Sequence, residues 1–294
     1  MANPTDQMLE RIEALIHRRT ETDRRMSYVW MIIPVLPLAA GIAIVSGLVG
    51  ILVSTLPRIS NITQGNAQSI LTPIVGGLLA LYGLAVIVFF GVLFLGAVSF
   101  YYMIDRRNRH FSRQQLLFST LHEYLASKVP QSGSVMQIGF LAQDSSHQEG
   151  SRPAGLWALL FMFVTPIIGL ILSYCLTQDL RKHDELQSKF QAVLPPALAE
   201  AGHGQANLPA YKPRGGDPVL FIILSAITGG LFWVDWYYTL LRDYNGHFAD
   251  QARFENQLLE ILAPPHVTKP CGTCGGAVPT GAKFCPNCGR AYTP

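Results

Sequence analysis

Four long apolar stretches, at about residues 28–56, 70–104, 154–176 and 218–241, constrain this chain more than any other feature. Each exceeds the roughly 20 residues that a helix needs to cross a ~30 Å hydrocarbon core. Four buried core helices of that length would leave too little polar cover in a chain of 294 residues. Only 14% of the residues are Asp, Glu, Lys or Arg, against about 25% in ordinary soluble domains. With a mean hydropathy of +0.27, the composition excludes a disordered chain and argues against a soluble two-domain enzyme. The net charge of +3 does not mark a nucleic-acid binder. The expected fold is therefore mainly α: a helical integral membrane protein whose lipid bilayer covers four apolar segments.

Residues 1–27 are polar and helical in pattern, with Met8, Ile12, Leu15 and Ile16 on one face. They read as a cytosolic amphipathic helix before an uncleaved anchor, because the first apolar run is too long for a signal peptide. All 22 Lys and Arg lie outside the apolar stretches, and Arg58 alone falls in the loop 57–68. By the positive-inside rule that loop faces outward, and the N-terminus and the 105–153 loop face the cytosol. The Asn61-Ile62-Thr63 sequon in the outer loop is a pattern short enough to arise by chance.

The third and fourth stretches end alike. Tyr174, Leu176, Asp179, His183, Gln187 and Phe190 are spaced identically to Tyr238, Leu240, Asp243, His247, Gln251 and Phe254, and Tyr101, His110 and Gln114 echo them. The repeated unit is a membrane segment running into an amphipathic helix. Its apolar stripes are Leu186, Phe190, Val193 and Leu194, closed by Pro195-Pro196; Phe254, Leu258, Leu259 and Leu262, closed by Pro264-Pro265; and Leu117, Leu121, Tyr124 and Leu125. Steps of three and four put Asp, His and Gln on one face. His110, His183 and His247 read first as interhelical contacts, and a metal or proton site built from them would require three helices to converge.

If the third and fourth segments each crossed once, their identical trailing helices would lie on opposite faces of the membrane. Re-entrant hairpins breaking at Thr165-Pro166 and Gly229-Gly230 would put both on the cytosolic side. Both topologies stay open, and both leave the N- and C-termini in the cytosol of a multi-pass cell-membrane protein. Asp235, among Trp233, Trp236, Tyr237 and Tyr238, reads as a wetted carboxylate at headgroup level, with a pathway residue as the other reading. Residues 129–153 and 195–217 read as linkers carrying little chemistry, and His203 has no ligand partner at metal spacing.

Cys271, Cys274, Cys285 and Cys288 form C-x2-C-x10-C-x2-C. Four thiolates from two tight turns satisfy one tetrahedral zinc ion. Gly275 and Gly289 follow each pair, and Phe284 can cover the site. No ligand position is left open, so one structural Zn2+ is expected, while Cys175 reads as a small membrane-buried residue.

Two resemblances follow from these residues. The stretch 271–294 resembles the short zinc ribbon at the termini of many prokaryotic proteins, which implies a small C-terminal β zinc ribbon. Residues 154–262, on Ile227-Thr228-Gly229-Gly230 and the Tyr-Trp-rich exit, resemble an uncharacterised prokaryotic multi-pass membrane-domain family of unknown function. The match implies architecture and no activity. A second glycine and Leu231-Phe232 replace that family's usual Gly-Ile-Tyr.

The organisation read from the chain is 1–27, an amphipathic helix; 28–128, two transmembrane segments plus a cytosolic helix; 154–262, repeated membrane-segment modules; and 271–294, the ribbon. No Walker loop, dinucleotide fingerprint, H-E-x-x-H or serine elbow is present. The expected function is a non-enzymatic membrane scaffold or adaptor that uses the ribbon to bind protein partners or a second copy. The alternative is a channel or transporter component.

Overall fold

The computed structural model describes residues 3–59, 67–164, 167–209, 213–262, 269–271, 273–274, 277–278, 288 and 290–291. Helix α1 (Pro4–His17) starts at Asn3, whose side chain accepts from the Thr5 amide, with Pro4 preset for the first turn. It buries Ile12, Leu15 and Ile16, the face read from the sequence. A short α2 (Arg19–Thr22) and a 3-10 turn (Tyr28–Met31) lead into α3 (Ile32–Ile59).

Helix α3 packs against α4 (Ala67–Lys128). Gly47 faces Leu81 and Gly77 faces Ile51, each so closely that a Cβ would press on the neighbouring side chain. Small residues at a crossing let two apolar helices approach in this way. Both α3 and α4 are long and apolar enough to cross a membrane. Val45, Val49, Leu52, Leu79, Ile87 and Phe90 stand out from this pair, each more than half exposed.

The 62 residues of α4 rise about 93 Å, far more than a bilayer core. Its second half enters a bundle with α5 (Gly133–Gln148), α7 (Ile167–Glu200) and α9 (Phe232–Leu262). Leu117, Phe118, Leu121, Tyr124 and Leu125 meet Leu186, Phe190, Leu194, Phe254 and Leu258, with α1 closing the side. The rings of Phe118 and Phe190 stack at 3.8 Å. A second core lies towards the apolar end, around Phe100, Ile104, Phe161, Leu172, Leu176, Trp236, Tyr237 and Phe248.

The third and fourth apolar stretches are each broken. Helix α6 (Ala154–Phe163) ends before α7, and α8 (Pro218–Ile227) ends before α9. At the second break Gly229 and Gly230 take φ of +60° and +92°, and the Gly230 amide bonds back to the Ser225 carbonyl at 2.7 Å. This left-handed closure of a helix end suits glycine because it has no Cβ. Helices of 10 residues such as α6 and α8 rise only about 15 Å, half of a hydrocarbon core. Gly169 meets the Phe161 ring across the first break, and Phe221 packs on Phe232 and Trp236 across the second.

Two expectations need correction. Pro195-Pro196 do not close the helix: α7 runs on to Glu200. Ala197 and Leu198 beyond them are fully buried in the bundle core, and that packing outweighs the missing proline amides. Residues 129–153 are not a bare linker, since Ser132 caps α5 and Val135, Ile138, Ala142 and Ser145 are buried. His203 is likewise held, with Tyr124 Oη 2.7 Å from its Nε2 and the Ile261 carbonyl 3.2 Å from its Nδ1. The sequon 61–63, Thr165-Pro166, Pro264-Pro265, Gly275, Phe284, Cys285 and Gly289 lie outside the described residues.

Strands β1 (Lys269–Pro270) and β2 (Ala277–Val278) pair antiparallel, Lys269 opposite Val278 and Pro270 opposite Ala277.

Candidate metal centres

Between the two apolar cores lies a polar layer, and the repeat builds it. His110 on α4, His183 on α7 and His247 on α9 converge, all fully buried. Their ring centroids are 4.9–5.2 Å apart, and one nitrogen from each lies within 4.8 Å of the others. The convergence that the spacing alone left open is present.

Each imidazole meets its own carboxylate. His183 Nδ1 lies 2.6 Å from Glu149 Oε1, and His247 Nδ1 lies 2.8 Å from Asp184 Oδ1. His110 Nδ1 is 2.9 Å from Asp23 Oδ1, short but outside hydrogen-bond alignment. The carboxylates are themselves held. Arg113 reaches the other oxygen of Asp23 at 2.8 Å, Ser145 donates to Glu149 at 2.7 Å, and the Arg214 amide donates to Asp184 at 2.6 Å.

An ionised carboxylate only accepts, so it selects the ring form with the proton on Nδ1. The Nε2 atoms are left facing inward. His247 Nε2 lies 2.9 Å from His110 Nε2, and among the described residues His183 Nε2 has no hydrogen-bond partner. Phe111 stacks on His183 at 4.2 Å and Phe248 packs on His110 at 4.7 Å, walling the cluster with apolar rings.

One turn further on, Gln114, Gln187 and Gln251 form a second buried layer. Gln114 and Gln251 both donate to Glu255 Oε1, at 2.5 and 3.0 Å, and Arg113 joins them at 2.8 Å. Among the described residues neither amide atom of Gln187 has a partner. A buried polar group left unsatisfied costs about 1–3 kcal/mol.

Burial and charge pull these groups in opposite directions. Burial raises the Asp23 carboxyl, but His110 and Arg113 beside it hold it well below the ordinary carboxylate range. Burial also raises Glu149, and His183 with Ser145 outweighs it and brings the group down. Burial lowers His247 despite Asp184. For Glu255 burial wins over Arg113 and the carboxyl is raised.

The second centre is the cysteine cluster. Cys271, Cys274 and Cys288 each offer a sulfur within 4.8 Å of the others, with Cys271 Sγ 3.9 Å from Cys288 Sγ. Two thiolates on a tetrahedral zinc stand about 3.8 Å apart, so this spacing fits a metal. Cys271 and Cys274, the first pair, lie between β1 and β2 in the chain, Cys274 in a turn. The fourth expected ligand, Cys285, lies outside the described residues.

Asp235 is exposed near the start of α9, on the same edge of the molecule as Arg242 and Thr239. Trp236 and Tyr237 beside it are instead fully buried, Trp236 bonding to Thr177 at 2.9 Å. The sequence reading missed Asp23, Glu149 and Asp184. Asp184 adjoins a repeated histidine, whereas Asp23 and Glu149 carry no periodic signal at all. The chain matches no family model, no curated protein and no solved structure.

Proposed function

We propose that the protein is a non-enzymatic membrane scaffold that holds a helical bundle against the bilayer and presents a C-terminal zinc ribbon to protein partners. The observation that carries this reading is the division of α4. One unbroken helix is apolar and outward-facing over its first half and packed into a polar-layered bundle over its second. Such a helix fixes the bundle at a set distance and angle from the membrane. Cys271, Cys274, Cys285 and Cys288 would hold the zinc, which supplies folding energy to a unit too small to bury a core of its own.

In this reading α3 and α4 span, while α6–α7 and α8–α9 re-enter from the cytosolic side. The short α6 and α8 support that arrangement, as does the shared bundle formed by the trailing halves of α7 and α9. The N-terminus and the ribbon then share the cytosol, and a second copy of the chain is one candidate partner.

Affinity capture of the full chain from gently solubilised membranes tests the proposal. A reproducible partner set that disappears in Cys271→Ser/Cys274→Ser supports it, and an unchanged set overturns the ribbon's role. A single cysteine at Ala206, in a chain whose own cysteines are replaced, tests the topology with a membrane-impermeant thiol reagent. Labelling from the outer face would rule out the hairpins.

A further inference from the structure

We propose that His110, His183 and His247 bind one divalent transition-metal ion of the zinc class through their Nε2 atoms, at a buried site separate from the cysteine cluster. The inference goes beyond the scaffold reading and does not depend on it.

The first argument is the arrangement of protons and lone pairs. His183 and His247 bond to carboxylates through Nδ1 and His110 Nδ1 lies 2.9 Å from one, so the three rings bring one nitrogen each within 4.8 Å of the others. Two of them lie 2.9 Å apart, and the third has no partner. A cation among them would engage the His183 nitrogen as well as the other two. Two nitrogens on a tetrahedral zinc stand about 3.3 Å apart, so small ring rotations would seat an ion.

The second argument is the surround. In metal sites a ligating histidine gives its other ring nitrogen to a carboxylate, which sets the ring's orientation and raises its basicity. Here His183 and His247 bond to a carboxylate in this way and His110 Nδ1 lies 2.9 Å from one, and Arg113, Ser145 and the Arg214 amide each fix one carboxylate in turn. The three carboxylates come from the segment before α3, the end of α5 and α7 itself, one to each ring. The third argument is the unsatisfied amide of Gln187, on the same helix face one turn beyond His183 and fully buried.

Three imidazoles without a thiolate suit zinc, copper, nickel or iron in preference to calcium or magnesium. The rings are closed off from solvent, so the ion enters as the bundle folds. Loading then stabilises the folded chain.

The experiment uses the full chain purified in detergent, with Cys271, Cys274, Cys285 and Cys288 all replaced by Ser so that only the histidine site can respond. Elemental analysis is expected to find about one equivalent of divalent transition metal retained. Exchange for Co2+ should give a visible ligand-field band without sulfur-to-metal charge transfer. His183→Gln in the same background is expected to lose at least ten-fold in metal content.

Because a histidine variant could fail to fold, thermal melts of the His183-containing chain supply an independent reading. Its Tm should fall on chelation and recover with added Zn2+ or Co2+. A four-serine chain that folds, carries no metal and melts identically with and without Co2+ overturns the proposal and leaves a shared proton as the cation. Metal content unchanged in a folded His183→Gln protein overturns it equally.

Discussion

Arg113 is the residue whose removal tests the polar layer most directly. Its guanidinium donates to Asp23 and Glu255 at 2.8 Å and to Thr22 at 3.0 Å, and its side chain is almost wholly buried. Arg113→Met keeps the apolar stem and deletes all three bonds. Removing one partner of a buried ion pair costs about 3–5 kcal/mol, because the other charge stays behind unsolvated. Here two carboxylates would be left, but they are not equal. Asp23 keeps His110, whereas Glu255 keeps only the two glutamine amides and the more distant Arg19 at 3.9 Å.

Glu255 is already raised by burial, so in the variant it answers by taking up a proton. A carboxyl raised in the folded state binds more protons than in the unfolded chain, so its effect on stability worsens as the pH rises. The loss in Arg113→Met should therefore be greatest near pH 8 and smaller near pH 5. For a bundle of this size about 3–5 kcal/mol corresponds to a fall in Tm of roughly 6–20 °C. Melts of the detergent-solubilised protein, followed by circular dichroism across that pH range, measure both quantities. Adding Glu255→Gln should restore part of the loss, with a coupling of about 0.5–3 kcal/mol. A Tm shift under about 2 °C, or a deficit that grows as the pH is lowered, would refute the reasoning.

Other outcomes follow from individual contacts. Phe118→Ala removes one of two stacked, fully buried rings and should cost about 3–5 kcal/mol, read as a lower Tm in the same assay. Gly230→Ala places a Cβ at φ +92° and should destabilise by about 1 kcal/mol or more, with hydrogen exchange rising at the α8–α9 junction if the strain is local. Glu149→Gln keeps the shape but removes the charge beside His183, and if the histidines bind a metal as proposed its affinity, read by competition with a chelator, should fall about 10–100-fold. If the cysteines hold zinc as proposed, Cys271→Ser should free close to one equivalent and open the C-terminal segment to protease while α1–α9 stay intact; cleavage confined to the bundle would contradict this.

Much of the helical layout was legible in the chain. The buried faces of α1, α7 and α9 follow directly from i, i+3 and i+4 apolar steps, and the exact recurrence of Asp, His, Gln and Phe marks the helices that meet. What the spacing could not supply was the third dimension. Three helix faces can each present a histidine to lipid, to solvent or to one another with the same one-dimensional pattern.

The orienting carboxylates were illegible for a different reason. Asp23 and Glu149 act from helix ends, where side-chain direction depends on the fold and not on a period. Helix α5 was obscured because Val135, Ile138, Ala142 and Ser145 mix apolar with small polar residues, so its buried stripe has little hydrophobic contrast. Its spacing and the Ser132 cap were readable signals. Pro195-Pro196 misled because a local rule was applied where the burial of Leu198 decides.

The polar layer also bears on how the chain is made. Arg19 and Met26 come from the first tenth of the sequence and meet α9: Arg19 bonds to Asn256 at 2.6 Å, and the Met26 backbone exchanges bonds with the Asn245 side-chain amide at 3.0 and 2.8 Å. A chain emerging from the ribosome therefore holds His110 and Asp23 without their counterpart until almost the last helix has been synthesised. The layer is therefore incomplete in any product that stops before α9, which supplies His247, Gln251 and Glu255.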